Sequence, residues 1–194
     1  MTNWETKFRD KKITLLGLGL LGRGLNLAKF LSGLGAELTI TDLKTHEELA
    51  PALGELQGIE GIKYVLGEHR LSDFRDADMI IKAASVPLDS PYVMEAKKHG
   101  IPVEMDASLF TQLAPKGVVT IGITGTRGKS TVTQMVYEIL KAAREDVYLG
   151  GNVRGMATLP LVREVKEGSV VVLELDSWQL QGFGAAEVSP NISV

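Results

Sequence analysis

Lys129, Ser130 and Thr131 follow directly on Gly122-Ile123-Thr124-Gly125-Thr126-Arg127-Gly128. This order packs backbone amides freed by glycine, a long mobile cation and adjacent hydroxyls into one short stretch. A β-rich run, Val118-Val119-Thr120-Ile121, leads in, and a helix-forming run, Val132 to Lys141, leads out. Strand, glycine loop, Gly-Lys-Ser and helix is the layout of a nucleotide phosphate site. Glycines let N–H groups close around phosphate oxygens, and a helix N-terminus adds positive potential. Lys129 supplies a cation for the β- and γ-phosphates, and Ser130 a hydroxyl for Mg²⁺. The general pattern has a small residue where Ile123 stands, with the glycines here at 122 and 125. The alternative is a glycine-rich strand-to-helix turn with a surface lysine.

A second candidate lies upstream. Ile13-Thr14-Leu15-Leu16 is suited to a central parallel strand and opens into Gly17-Leu18-Gly19-Leu20-Leu21-Gly22, with Asp42 closing the next strand. The spacing is that of a dinucleotide fingerprint. It fits NAD with Asp42 on a ribose hydroxyl, a uridine nucleotide held by the same diphosphate physics, or a tight turn without ligand. An oxidoreductase has no need of the second loop. Two phosphate loops in tandem point to two phosphorylated substrates.

Positioning these loops requires strands alternating with helices. Beyond those named, the pattern predicts helices from about Gly22 to Leu34, over Thr45–Leu56 (with Pro51 in its middle) and over Pro91–His99. Strands are expected at Glu37–Thr41, Asp78–Lys82, Ile101–Met105, Val147–Leu149, Val170–Leu175 and from Asn191. The expectation is an α/β fold: a Rossmann-like parallel-sheet domain over 1–100, then part of a P-loop α/β domain over 101–194. With 194 residues, 44% of them hydrophobic and 23% charged, the composition is that of a globular protein. The net charge of −3 gives no basic field for nucleic acid. The absence of cysteine excludes disulfides and thiol catalysis and fits a reducing cytoplasm. The apolar run at 13–21 is too short and glycine-broken for a signal peptide or membrane span. His46, His69 and His99 are scattered and read as surface residues; Trp4 and Trp178 read as packing residues.

Taken together, these motifs resemble the Mur ligases. Gly17 to Gly24 resembles the family's uridine-nucleotide loop, and Ile123 to Thr131 its ATP loop, which accounts for Ile123. Gly150-Gly151-Asn152 is similar to its Gly-Gly-Asn turn, and Leu173-Glu174-Leu175-Asp176-Ser177-Trp178-Gln179-Leu180 to its Leu-Glu-Leu-Ser-Ser-Phe-Gln-Leu segment. The chain departs from the family at Arg127 (usually Asn), Asp176 (Ser), Ala83-Ala84-Ser85 (Ser-Pro-Gly) and Ser108 (Glu).

The resemblance implies ATP-dependent amide bond formation through an acyl phosphate. Its closest branch joins D-glutamate to UDP-N-acetylmuramoyl-L-alanine in peptidoglycan precursor synthesis. A ligase adding another amino acid and a non-catalytic nucleotide-binding module are the alternatives. The implied ATP contacts are Gly125, Thr126, Arg127, Gly128, Lys129, Ser130 and Thr131. The UDP-substrate contacts are Gly19, Leu20, Leu21, Asp42, Lys44 and Asn152. Lys129 and Glu174 are the implied catalytic residues, with Ser130 and Glu174 as Mg²⁺ ligands. On residue type alone, Glu174 could be a solvated strand-end glutamate, Asn152 a turn residue, and Asp176 either a carboxylate near the metal or a helix cap. The resemblance places further catalytic groups and a closing domain beyond residue 194, so residues 1–194 alone are expected to be inactive, and the full-length protein is expected to be a monomer.

Overall fold

The computed structural model describes residues 4–194. Internal contacts divide it into two units, one ending at Met105 and the other beginning at Asp106.

The first unit is a five-stranded parallel sheet of order β3-β2-β1-β4-β5, formed by β1 (Lys12–Leu16), β2 (Glu37–Asp42), β3 (Ile62–Leu66), β4 (Met79–Lys82) and β5 (Val103–Glu104). The apolar run of β1 is buried and occupies the centre, with Leu16 opposite Thr41 on one side and Lys82 on the other. Helices α1 (Arg23–Ser32), α2 (His46–Glu55) and α3 (Pro91–Lys98) connect the strands. Thr45 and Glu48 form a reciprocal capping box that starts α2, which carries Pro51 within it. Ser90 caps α3, with Pro91 in its first turn. The chain builds the sheet first to one side of β1 and then to the other. The loop after β1 therefore opens at the switch point, where open α/β sheets take ligands.

The second unit begins with α4 (Asp106–Leu113) and has a four-stranded parallel sheet of order β7-β8-β6-β9. Its strands are β6 (Val119–Ile123), β7 (Val147–Gly151), β8 (Val170–Glu174) and β9 (Ile192–Ser193), with helices α5 (Lys129–Ala143) and α6 (Ser177–Ala185). Every residue of β8 is buried, as expected of a strand covered on both faces. Ile121, Ile123, Val147, Val170 and Val172 form a core into which α5 packs Val136, Tyr137 and Leu140.

Three elements differ from the sequence expectation. β3 was not anticipated: Ile62-Lys63-Tyr64-Val65-Leu66 mixes polar and apolar residues, and as an edge strand it buries only Val65 fully. α4 was likewise not anticipated as a helix. The segment 101–105, expected to open the second domain, instead contributes β5, which pairs with β4 in the first sheet. No helix among the described residues is long and apolar enough to cross a membrane.

Candidate functional site

The first glycine loop is built by three contacts. The Gly17 amide donates to the Thr41 carbonyl at 2.8 Å, tying the loop to β2. Gly22 caps α1 in the left-handed region. A Cβ on Gly24 would lie 2.2 Å from the Leu18 carbonyl oxygen, so α1 presses onto the loop where only glycine fits. Asp42 is buried at the end of β2. Its Oδ2 accepts from the Gly19 amide and its Oδ1 from the Lys44 amide, both at 2.9 Å. The structure thus joins Gly19, Asp42 and Lys44, with the carboxylate spent on shaping the loop. Leu20 and Leu21 stand out from it, more than half exposed, as does Leu43.

His69 is not the isolated surface residue that the sequence indicated. Its Nδ1 lies 2.6 Å from the Oγ1 of fully buried Thr41, and its ring meets Phe74 and Tyr92 edge-on, with centroids at 6.4 and 4.8 Å. Burial pushes the imidazole below its ordinary value, and the Asp42 carboxylate partly opposes this. The folded state therefore favours neutral His69, whereas the unfolded chain takes up the proton near pH 6.5. The stabilisation is full above that pH and is lost as pH falls towards the lower folded value. Urea midpoints of the first unit between about pH 7.5 and 5.5 are expected to fall less steeply in His69→Gln than in the wild type. Equal slopes would contradict this.

In the second unit, Thr124 to Gly128 form an exposed loop at the C-terminal end of central β6. Gly128 is left-handed and caps α5, so Lys129, Ser130 and Thr131 form its first turn. The Lys129 ammonium donates to the Gly125 carbonyl at 2.9 Å and so lies over the loop. Gly122 is a strand residue: a Cβ there would lie 2.6 Å from Pro190 Cγ. Gly125 and Gly128 are the loop glycines, and Ile123, in the strand, is buried.

Glu174 ends β8, between the β6 loop and the β7 turn; its register partners are Ile123 and Gly151. At 7% exposure it is not a solvated strand-end glutamate. The Asn152 amide donates to the Glu174 carbonyl at 2.7 Å, and Asn152 Nδ2 reaches Glu174 Oε1 at 3.4 Å. Asn152 is therefore partnered with Glu174 within the second unit. Asp176 caps α6, its Oδ1 accepting from the Gln179 amide at 2.8 Å. Trp4 stacks on Phe30, whereas Trp178 is 43% exposed.

A buried carboxylate at a strand end and a hydroxyl in the first turn of the helix after the neighbouring strand are hard oxygen donors, suited to Mg²⁺ completed by phosphate oxygens. Among the described residues, no cluster of three or more His, Cys, Asp or Glu side chains gathers that could hold a metal ion unaided.

The family model for the Mur ligase MurD-like N-terminal domain matches residues 11–104, and that for the Mur ligase middle domain matches residues 123–194. Among curated proteins, the UDP-N-acetylmuramoylalanine--D-glutamate ligases of Roseiflexus sp. (strain RS-1), Borreliella burgdorferi (strain ZS7) and Clostridioides difficile (strain 630) are 37%, 38% and 37% identical to it. The matches cover 94%, 97% and 95% of this chain, which spans 38–40% of the length of these relatives. Two solved structures, a pseudomurein peptide ligase type C from Methanothermus fervidus and the UDP-N-acetylmuramate-alanine ligase of Thermotoga maritima, are 23% and 20% identical. They cover 92% and 90% of this chain and 36% and 44% of their own, with TM-scores of 0.44 and 0.46. Carrying both domain matches over most of its length, the chain belongs to the Mur ligase family.

Proposed function

We propose that this chain is the UDP-substrate-binding and nucleotide-binding part of a ligase that adds D-glutamate to UDP-N-acetylmuramoyl-L-alanine at the expense of ATP. The observation that carries this reading is the presence in one chain of two glycine loops, each at the C-terminal end of a central parallel strand, with Glu174 buried beside the second. The names of relatives at 37–38% identity support D-glutamate as the amino acid added.

In this reading the first unit takes the UDP-sugar. Its diphosphate lies at the N-terminus of α1, with Leu20 and Leu21 of the loop offering amides and Gly19, Asp42 and Lys44 flanking the ligand. Leu20 and Leu21 offer exposed apolar surface to it. The second unit takes ATP on Gly125, Thr126, Arg127, Gly128, Lys129, Ser130 and Thr131. Asn152 joins the UDP-substrate contacts, and Glu174 and Ser130 would hold Mg²⁺, which would neutralise phosphate charge. A carboxylate oxygen of the UDP-muramoyl-alanine attacks the γ-phosphorus, and ADP leaves with the bonding pair. The glutamate amine then attacks the acyl carbon, loses a proton and expels phosphate. Phosphoryl transfer of this kind needs positioning and charge neutralisation. Lys129 supplies a fixed cation, and the loop amides hold the phosphates in line.

Calorimetry on the 194-residue chain tests the first unit. UDP-N-acetylmuramoyl-L-alanine is expected to bind at least tenfold more tightly than NAD⁺. Tighter binding of NAD⁺ would overturn the assignment.

A further inference from the structure

A run of buried hydrogen bonds leads to the Asn152–Glu174 pair from residues that no motif singles out. Thr158 is fully buried and its Oγ1 accepts from the Gly151 amide at 2.8 Å. Its own amide donates to Asp106 Oδ2 at 2.7 Å, and the Leu159 amide donates to Asp106 Oδ1 at 2.8 Å. Asp106, in the first turn of α4, is itself buried. A Cβ on Gly150 would lie 2.9 Å from Thr158 Cγ2 and 3.0 Å from Leu173 Cδ2. The Gly150–Asn152 turn is therefore clamped between Thr158 and β8.

We propose that Thr158, seated by Asp106, is a positioning residue for Asn152 and Glu174, and through them for the divalent cation. The inference rests on the metal reading given under Proposed function. The side-chain contact between Asn152 and Glu174 is long at 3.4 Å and too weak to aim a carboxylate alone. What aims it is the backbone of the turn. Asn152 is fixed by its amide on the Glu174 carbonyl, and Gly151 by its amide on the Thr158 hydroxyl. Without that hydroxyl, a buried N–H loses its acceptor and the turn shifts to find another. Groups that orient metal ligands typically change metal affinity by about 10–100-fold when removed.

The test compares ATP binding by the 194-residue chain in EDTA and in Mg²⁺. In Thr158→Val, which keeps the shape and removes the hydroxyl, the Mg²⁺-dependent gain in affinity is expected to fall by about tenfold or more, with the affinity in EDTA within about twofold of wild type. Thr158→Ser is expected to restore the gain, and Asp106→Asn to lose part of it. Hydrogen exchange supplies a readout independent of metal: the Gly151 amide loses protection in Thr158→Val and regains it in Thr158→Ser. Should Thr158→Val fail to fold, Asp106→Asn and Thr158→Ser are read by the same split. A full Mg²⁺ gain in a folded Thr158→Val, or equal losses with and without Mg²⁺, would overturn the inference. No Mg²⁺ gain in the wild type would instead overturn the metal reading on which it rests.

Discussion

Replacing Lys129 with alanine is expected to weaken ATP binding by about a hundredfold while the second unit keeps its fold. Charge-assisted hydrogen bonds contribute about 1.5–3 kcal/mol each, and a hundredfold loss corresponds to about 2.7 kcal/mol. The side chain is half-buried, and its hydrogen bond is to Gly125, itself in the exposed loop. Water can satisfy that carbonyl, so little folding energy depends on the contact. Lys129→Arg is expected to recover only part of the loss, because a planar guanidinium replaces a compact ammonium in a loop shaped for the latter. Calorimetric titration with ATP and Mg²⁺, beside a thermal melt, separates the possibilities. Near-wild-type affinity would remove Lys129 from the phosphate site, and loss of the folded state would make it structural.

How much of this was legible in the sequence depends on how far apart the interacting residues lie. Both glycine loops could be read because strand, turn and helix follow one another without interruption. Their fine structure could not be. Sequence treats Gly122 and Gly125 alike, yet one packs under Pro190 and the other belongs to the loop. The strand at 62–66 was missed because an edge strand buries few of its residues. His69 follows that strand and joins Thr41, Phe74 and Tyr92 only once the sheet forms. Asp106 and Thr158 are 52 residues apart, and no local pattern announces two buried hydrogen bonds over such a separation. Asp176 was legible in part: the sequence allowed a helix cap or a carboxylate near the metal, and the local bond from the Gln179 amide makes it the cap.

Gly151→Ala is expected to destabilise the second unit by about 4 kcal/mol. Gly151 has φ of +84°, in the left-handed region that costs a side-chain-bearing residue about 1–2 kcal/mol. The larger part is steric. An added Cβ would lie 2.1 Å from the Glu174 carbonyl oxygen and 2.8 Å from its nitrogen. Both are backbone atoms of a strand buried along its whole length, which has no flexible end to move aside. Gly155 provides the control: its φ is +76°, but a Cβ there meets nothing within 4 Å. Gly155→Ala is therefore expected to cost only about 1–2 kcal/mol. In thermal melts the difference corresponds to a midpoint for Gly151→Ala lower by roughly 10 °C or more than that of Gly155→Ala. Equal shifts would show that backbone conformation alone is responsible and that β7 yields at its end. A folded remnant of Gly151→Ala is expected to bind ATP with a reduced Mg²⁺ gain, because the atom that the new methyl displaces belongs to Glu174, the residue proposed to hold the metal.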